Sequence, residues 1–167
     1  MNGARIAGAL ALVLLMLLAG CASGPLKTEG VAQGLTPDHA VQQPEAAMGK
    51  TVLWGGVIVA AKNLEQRTRL EVVGYPLDRY SQRPQTDAQP VGRFLAYQDG
   101  YLETAEYGAG RRVTVRGTVT GTEQGVVGEA EYTYPEVSVE SIELWPEQAP
   151  AEDRTRFHFG IGIILSN

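Results

Sequence analysis

From residue 51 to residue 145 the chain is written in short β-type runs with turn signals between them, and two of these runs place apolar residues at every second position, the period of a strand with one buried face. Residues 67–73 alternate most cleanly, with Thr68, Leu70 and Val72 on one face and Arg67, Arg69 and Glu71 on the other. Residues 111–120 repeat the pattern: Val113, Val115, Gly117 and Val119 read inward, and Arg112, Thr114, Arg116, Thr118 and Thr120 outward. Residues 51–60 are rich in Val, Leu, Ile and Trp around Gly55-Gly56, a pair that marks a bulge or sharp bend inside a strand. Residues 92–98 add Phe94, Leu95 and Tyr97. Two more runs, 125–134 and 137–145, follow and join near Pro135. In the last run the apolar parity moves from Val137 and Val139 to Ile142 and Leu144, which calls for a one-residue bulge near Glu140-Ser141.

Strands of this length, interrupted by glycine and followed by no long amphipathic helix, predict an all-β domain. Gly55, Gly56 and Gly117 favour curvature, so the expected fold is a small OB-like barrel of about five to six strands behind a flexible N-terminal tether. A compact β-sandwich is the alternative, and periodicity does not separate the two. Residues 49–145 form the expected barrel domain. Residues 21–48, with Pro25, Pro37 and Pro44 and little apolar period, read as the tether. A short helix over 37–47 fits inside it, with Thr36 as cap and Pro37 at the first helical position. Residues 146–167 read as a linker and an apolar C-terminal strand. There Phe157, Phe159, Ile161, Ile163 and Leu165 share one face, while Gly160 and Gly162 leave the other nearly bare. Such an edge invites pairing with a partner or a second copy, with docking on its own domain or lipid contact as the other outcomes.

The first 20 residues follow another logic. Arg5 and the N-terminal amine precede an apolar run from Ile6 to Leu18, and Leu18-Ala19-Gly20-Cys21 ends it. The layout is that of a secretory signal peptide, and its end matches the bacterial lipobox, whose cysteine takes diacylglycerol before the signal is removed. The run is shorter than the roughly 20 residues a spanning helix needs. A diacylated and N-acylated (palmitate-type) Cys21 gives stable anchoring at ~0.8 kcal/mol per buried methylene. Residue 22 is Ala, not the Asp that favours inner-membrane retention, so the expected place is the outer membrane, facing the periplasm.

Charge narrows the partners. Arg5 leaves with the signal, so the mature chain keeps 13 Lys and Arg against 19 Asp and Glu, a balance unsuited to nucleic acid. Cys21 is the single cysteine, which leaves no disulfide to form within the chain. His39 and His158 have no second nitrogen or sulfur ligand at metal spacing, so neither a metal nor another cofactor is expected. No Gly-x-Ser-x-Gly elbow is present, and the glycines at 108–110 and 121–128 read as turns. The densest cationic grouping, Arg93, Arg111, Arg112 and Arg116, combines with Tyr97 and Tyr101 as a candidate anion, glycan or partner contact. Its structural alternative is cross-strand pairing with Glu129 and Glu131.

Several segments in order carry a resemblance. They are Trp54-Gly55-Gly56-Val57-Ile58, Asn63, Thr68-Arg69-Leu70-Glu71-Val72, Tyr75-Pro76-Leu77-Asp78, Arg83-Pro84 and Gly92-Arg93-Phe94. Gly110-Arg111, Val113-Thr114-Val115-Arg116-Gly117, Gly128-Glu129, Tyr132-Thr133-Tyr134-Pro135 and Leu144-Trp145 complete them. With the lipobox, this sequence resembles the Slp family of bacterial outer-membrane lipoproteins. The resemblance implies outer-membrane lipidation and an association with starvation or acid stress, and it supplies no catalytic residues. The expected function is a non-enzymatic lipoprotein that supports or scaffolds the envelope under stress. The alternative is a periplasmic binding module for a small anionic or glycan ligand, using Arg93, Tyr97, Arg112 and Arg116.

Overall fold

The computed structural model describes residues 24–147. Five strands run β1 (Thr51–Asn63), β2 (Arg67–Tyr75), β3 (Arg93–Asp99), β4 (Arg112–Val127) and β5 (Ala130–Leu144). They close into a barrel in the order β1-β2-β3-β5-β4, so the barrel expectation holds and the sandwich is set aside. Every neighbouring pair is antiparallel except β3 with β5, which meet in parallel over Leu95 to Tyr97. Val52, Trp54, Ile58, Leu70, Val72, Phe94, Val113, Val115 and Val137 fill the interior. Trp54 meets Phe94 edge to face at 5.4 Å between ring centroids, and its indole N–H donates to the Leu35 carbonyl at 2.6 Å.

Glycine makes the closure possible. A Cβ on Gly56 would fall on the Val73 carbonyl, and one on Gly117 on the Ser138 carbonyl. Strands at these crossings approach closer than any side chain permits. The bulge itself sits at Val59, where the register with β2 slips, a few residues past the glycine pair. The bulge expected near Glu140-Ser141 is present: Arg116 pairs with Ser141 and Gly117 with Val139, leaving Glu140 as the extra residue.

Four expectations change. The runs at 125–134 and 137–145 are not two strands joined at Pro135. Residues 125–127 end β4, the chain turns at Gly128 (φ 63°), and β5 then runs through Pro135. Proline is tolerated there because the ladder is already irregular, with Thr120 of β4 looped out between Val119 and Gly121. Thr114 is not outward: it is fully buried, because the loop between β2 and β3 lies over it.

The described part of the segment read as a flexible tether, residues 24–48, is folded onto the barrel. Leu26, Pro37, Ala40 and Ala47 are buried, and Val31 bridges to Thr51. Thr36 caps α1 (Pro37–Gln42) through the His39 N–H, as its sequence implies, and α2 (Pro44–Ala47) follows. Lastly, Arg93 and Arg116 pair with Glu71 and Glu140 rather than with Glu129 and Glu131. The expected strand at 157–165 and the acylated Cys21 lie outside the described residues.

Candidate functional site

The long β4–β5 hairpin folds its distal half over the outer face of β2 and β3. Leu95, Tyr97 and Tyr134 are buried beneath it, with Tyr132 packed edge to face on Tyr134 at 4.7 Å. Polar groups in this second cluster satisfy one another. Tyr97 donates to Glu123 Oε2 at 2.7 Å, and Arg69 reaches Glu123 Oε1 at 3.2 Å. Tyr134 donates to Glu71 at 3.1 Å, and Arg93 pairs with the same carboxylate at 2.8 Å. The Arg67 guanidinium lies 3.9 Å above the Tyr97 ring. Burial, then the Glu123 carboxylate, raise the Tyr97 phenol to about 12. Burial and the neighbouring Glu123 also push the Glu136 carboxyl above its ordinary range.

Two of the four contact candidates, Arg93 and Tyr97, are therefore held inside this cluster. A third, Arg116, sits apart from them. It pairs with Glu140 and donates to the Glu29 carbonyl at 3.1 Å, tying the N-terminal segment to β4.

Arg112 is different. Its guanidinium has no hydrogen-bond or ion-pair partner among the described residues. It lines two adjoining hollows of about 530 and 390 Å³ that share it with Thr86. One is walled by Arg111, Trp145 and Glu147, the other by Asp78, Ser81 and Arg83. Arg83 stacks over the Trp145 ring at 5.0 Å. Trp145 donates its indole N–H to Thr114 Oγ1 at 2.9 Å, and Thr114 donates to the Gln82 carbonyl at 2.7 Å. Arg111 bonds the Glu106 carbonyl at 2.8 Å, while its Nε is buried without a hydrogen bond among the described residues. Three guanidinium groups and one indole thus border the two adjoining hollows together with the carboxylates of Asp78, Asp87 and Glu147, of which Glu147 lies 3.7 Å from Arg111 Nε. Of the cations, Arg112 is the one with no partner among the described residues and so the one placed to meet a planar anion.

Sequence reasoning found Arg112 but did not join Arg83 or Trp145 to it. Arg83 lies in a polar, aperiodic loop shaped by its own hydrogen bonds and by bonds from Leu26 and Thr114. Asp78 Oδ1 there accepts from the Tyr80 and Ser81 N–H groups and the Ser81 hydroxyl. The Ser81 N–H and then its hydroxyl hold the Asp78 carboxyl below its usual range. Gln82 follows with φ 62°, a strained conformation for a side chain. Two bonds to Leu26 fix it: Gln82 Nε2 donates to the Leu26 carbonyl at 2.8 Å, and the Leu26 N–H donates to Gln82 Oε1 at 2.9 Å. Beside this clamp, a cleft of about 390 Å³ runs between the N-terminal segment and the barrel, past Leu35, Trp54, Tyr75 and Arg79.

The sequence is similar to known proteins over most of its length. The model of the Outer membrane lipoprotein Slp family matches residues 18–161. Outer membrane protein Slp of Escherichia coli (strain K12) is 33% identical over 143 residues, covering 83% of this chain and 74% of that protein. Uncharacterized lipoprotein YeaY of the same organism is 30% identical over 142 residues, covering 84% of this chain and 72% of the other. Among solved structures, the mitochondrial single-stranded DNA binding protein Rim1 of S. cerevisiae superposes with a TM-score of 0.39 at 14% identity, over 60% of this chain and 99% of that one.

Proposed function

The chain belongs to the Slp family of outer membrane lipoproteins, and from that premise we propose that it is a non-catalytic module supporting the envelope under starvation or acid stress. In this reading Cys21 carries the diacylglycerol and N-acyl anchor, and the barrel faces the periplasm. The observation that carries it is the clamp between Leu26 and Gln82. The chain is clamped to the folded body five residues after the lipobox cysteine, so in this reading the barrel is held close to its anchor. A scaffold at a membrane surface is served by that closeness; a domain meant to capture distant solutes gains from a long free spacer.

The anchor is tested by Cys21→Ser, which should accumulate unprocessed precursor at the inner membrane without acyl label. Normal palmitate incorporation and outer-membrane fractionation of that variant would refute it. The role is tested by deleting the protein and measuring leakage of a periplasmic reporter in stationary phase and after acid challenge, beside in vivo crosslinking. Increased leakage and a recurrent envelope crosslink are expected; intact retention with no crosslinked species counts against scaffolding.

A second reading, a binding module for a small anionic or glycan ligand, is supported by Arg112, which has no partner among the described residues and lines hollows shared with Arg83 and Trp145. Thermal-shift titration with inorganic phosphate and with acidic sugars would then stabilise the wild type but not Arg112→Gln. Equal shifts in the two proteins would dismiss this groove as the site.

A further inference from the structure

We propose that the turn carrying Arg79 and Tyr80 is the membrane-facing surface of the barrel and rests in the lipid headgroup layer; this rests on the Cys21 anchor proposed above. The described residues begin at Gly24, which lies against Gln82 so closely that a Cβ on it would overlap the Gln82 side chain. Only Ala22 and Ser23 separate Gly24 from Cys21. At ~3.3–3.6 Å per extended residue the Cα of Gly24 stays within about 11 Å of the acylated cysteine. The headgroup region on each side of a bilayer is roughly 5–7 Å deep. A body tied to the anchor this closely meets the bilayer with whatever surface surrounds Gly24.

That surface is the turn at 78–83. It is rigid, because Gln82 N–H closes on the Asp78 carbonyl at 2.9 Å and Asp78 N–H on the Arg83 carbonyl at 2.9 Å. Leu26 and Gln82 then fix the turn to the incoming chain. Tyr80 stands at its tip and is 66% exposed, among the most exposed large side chains of the described residues. A tyrosine at that depth places its ring among acyl ester groups and its hydroxyl in water. Arg79 and Lys27 flank it as exposed cations, and Glu29 is an exposed anion further along. The carboxylate of Asp78 is turned into its own loop. Charge is nearly balanced, so the surface sets orientation at the membrane and adds little affinity to the lipid chains.

The experiment uses the full lipoprotein in vesicles of phosphatidylethanolamine and phosphatidylglycerol, with Cys21 acylated and a cysteine introduced by Tyr80→Cys or Tyr101→Cys for a nitroxide label. Tyr101 is 67% exposed, and its hydroxyl bonds the Glu65 carbonyl beyond the far end of β2. The nine residues of β2 place that end ~26 Å from the clamp at 3.3 Å per residue. Collisions with a water-soluble nickel relaxant should fall several-fold at position 80 on vesicle binding and stay unchanged at 101. Inserting about 12 Gly and Ser residues after Ser23, a spacer of ~20 Å, should restore collisions at 80 while the protein still floats with vesicles. Flotation with equal accessibility at 80 and 101, or protection at 80 that survives the spacer, overturns the orientation alone. Failure of the acylated wild type to float removes the anchor reading and this inference with it.

Discussion

Replacing Thr114 by valine tests the most consequential departure from strand alternation. The side chain keeps its shape, but the hydroxyl that links Gln82 to Trp145 is lost. The Gln82 carbonyl is then stranded in a buried residue, 4% exposed, which costs ~1–3 kcal/mol. The indole N–H belongs to a partly exposed ring that turns toward water, so its loss adds only ~0.5–1 kcal/mol. Thr114→Val should therefore destabilise by about 1.5–4 kcal/mol. Thr114→Ser keeps both hydrogen bonds and gives up one methyl, for ~1 kcal/mol of lost burial and cavity.

Urea unfolding of the lipid-free chain, followed by tryptophan fluorescence, separates the two. At an m-value of ~1–2 kcal/mol/M the valine midpoint should drop by roughly 1–4 M, below that of the serine variant. If packing alone mattered, the order would reverse, with valine near wild type and serine lower. A valine midpoint at or above the serine midpoint refutes the hydrogen-bonded bridge.

Gly117→Ala places a Cβ against the Ser138 backbone and should cost more than ~3 kcal/mol, whereas Gly121→Ala meets only the end of the Glu136 side chain at 3.3 Å; comparable midpoints would reject close strand approach as the reason for Gly117. Val115, fully buried, should lose ~1–3 kcal/mol on truncation to Ala, read from the same unfolding curves. Gln82→Ala should free the segment before α1, seen as rapid proteolytic cutting between residues 24 and 36 while the barrel core survives; unchanged protection would mean the clamp is dispensable. The folded-state carboxyl of Glu136 lies above its ordinary 4.5, so the native state binds the proton more tightly than the unfolded chain. Its contribution is present below the ordinary value and is lost as pH rises through the folded one. Glu136→Gln should accordingly raise the melting temperature at pH 7 and leave it nearly unchanged at pH 4, and the opposite pattern would overturn the assignment.

Alternation along single strands was enough to identify β2 and the inward face of β4, because a period of two is imposed by the pleat itself, while β3 showed only as a short apolar run. The parity break at Glu140 and the glycines at 55, 56 and 117 were likewise legible, since a bulge or a close crossing leaves a local mark in the residues that permit it. The Thr36-Pro37 start of α1 and the lipobox at Cys21 are local signals too. None of these reports what lies above a strand's outer face. Thr114 is buried because a polar, aperiodic loop folds back over β4, and Tyr97 because the end of its own neighbouring hairpin curls over β3. Choosing Glu71 and Glu140, not Glu129 and Glu131, as the arginine partners needed the register of the closed barrel, which no single strand contains. The segment after residue 24 lacked apolar period because it docks through backbone groups and isolated buried residues rather than a continuous face. Local chain physics wrote the elements into the sequence; contacts between residues far apart decided which surfaces they leave open.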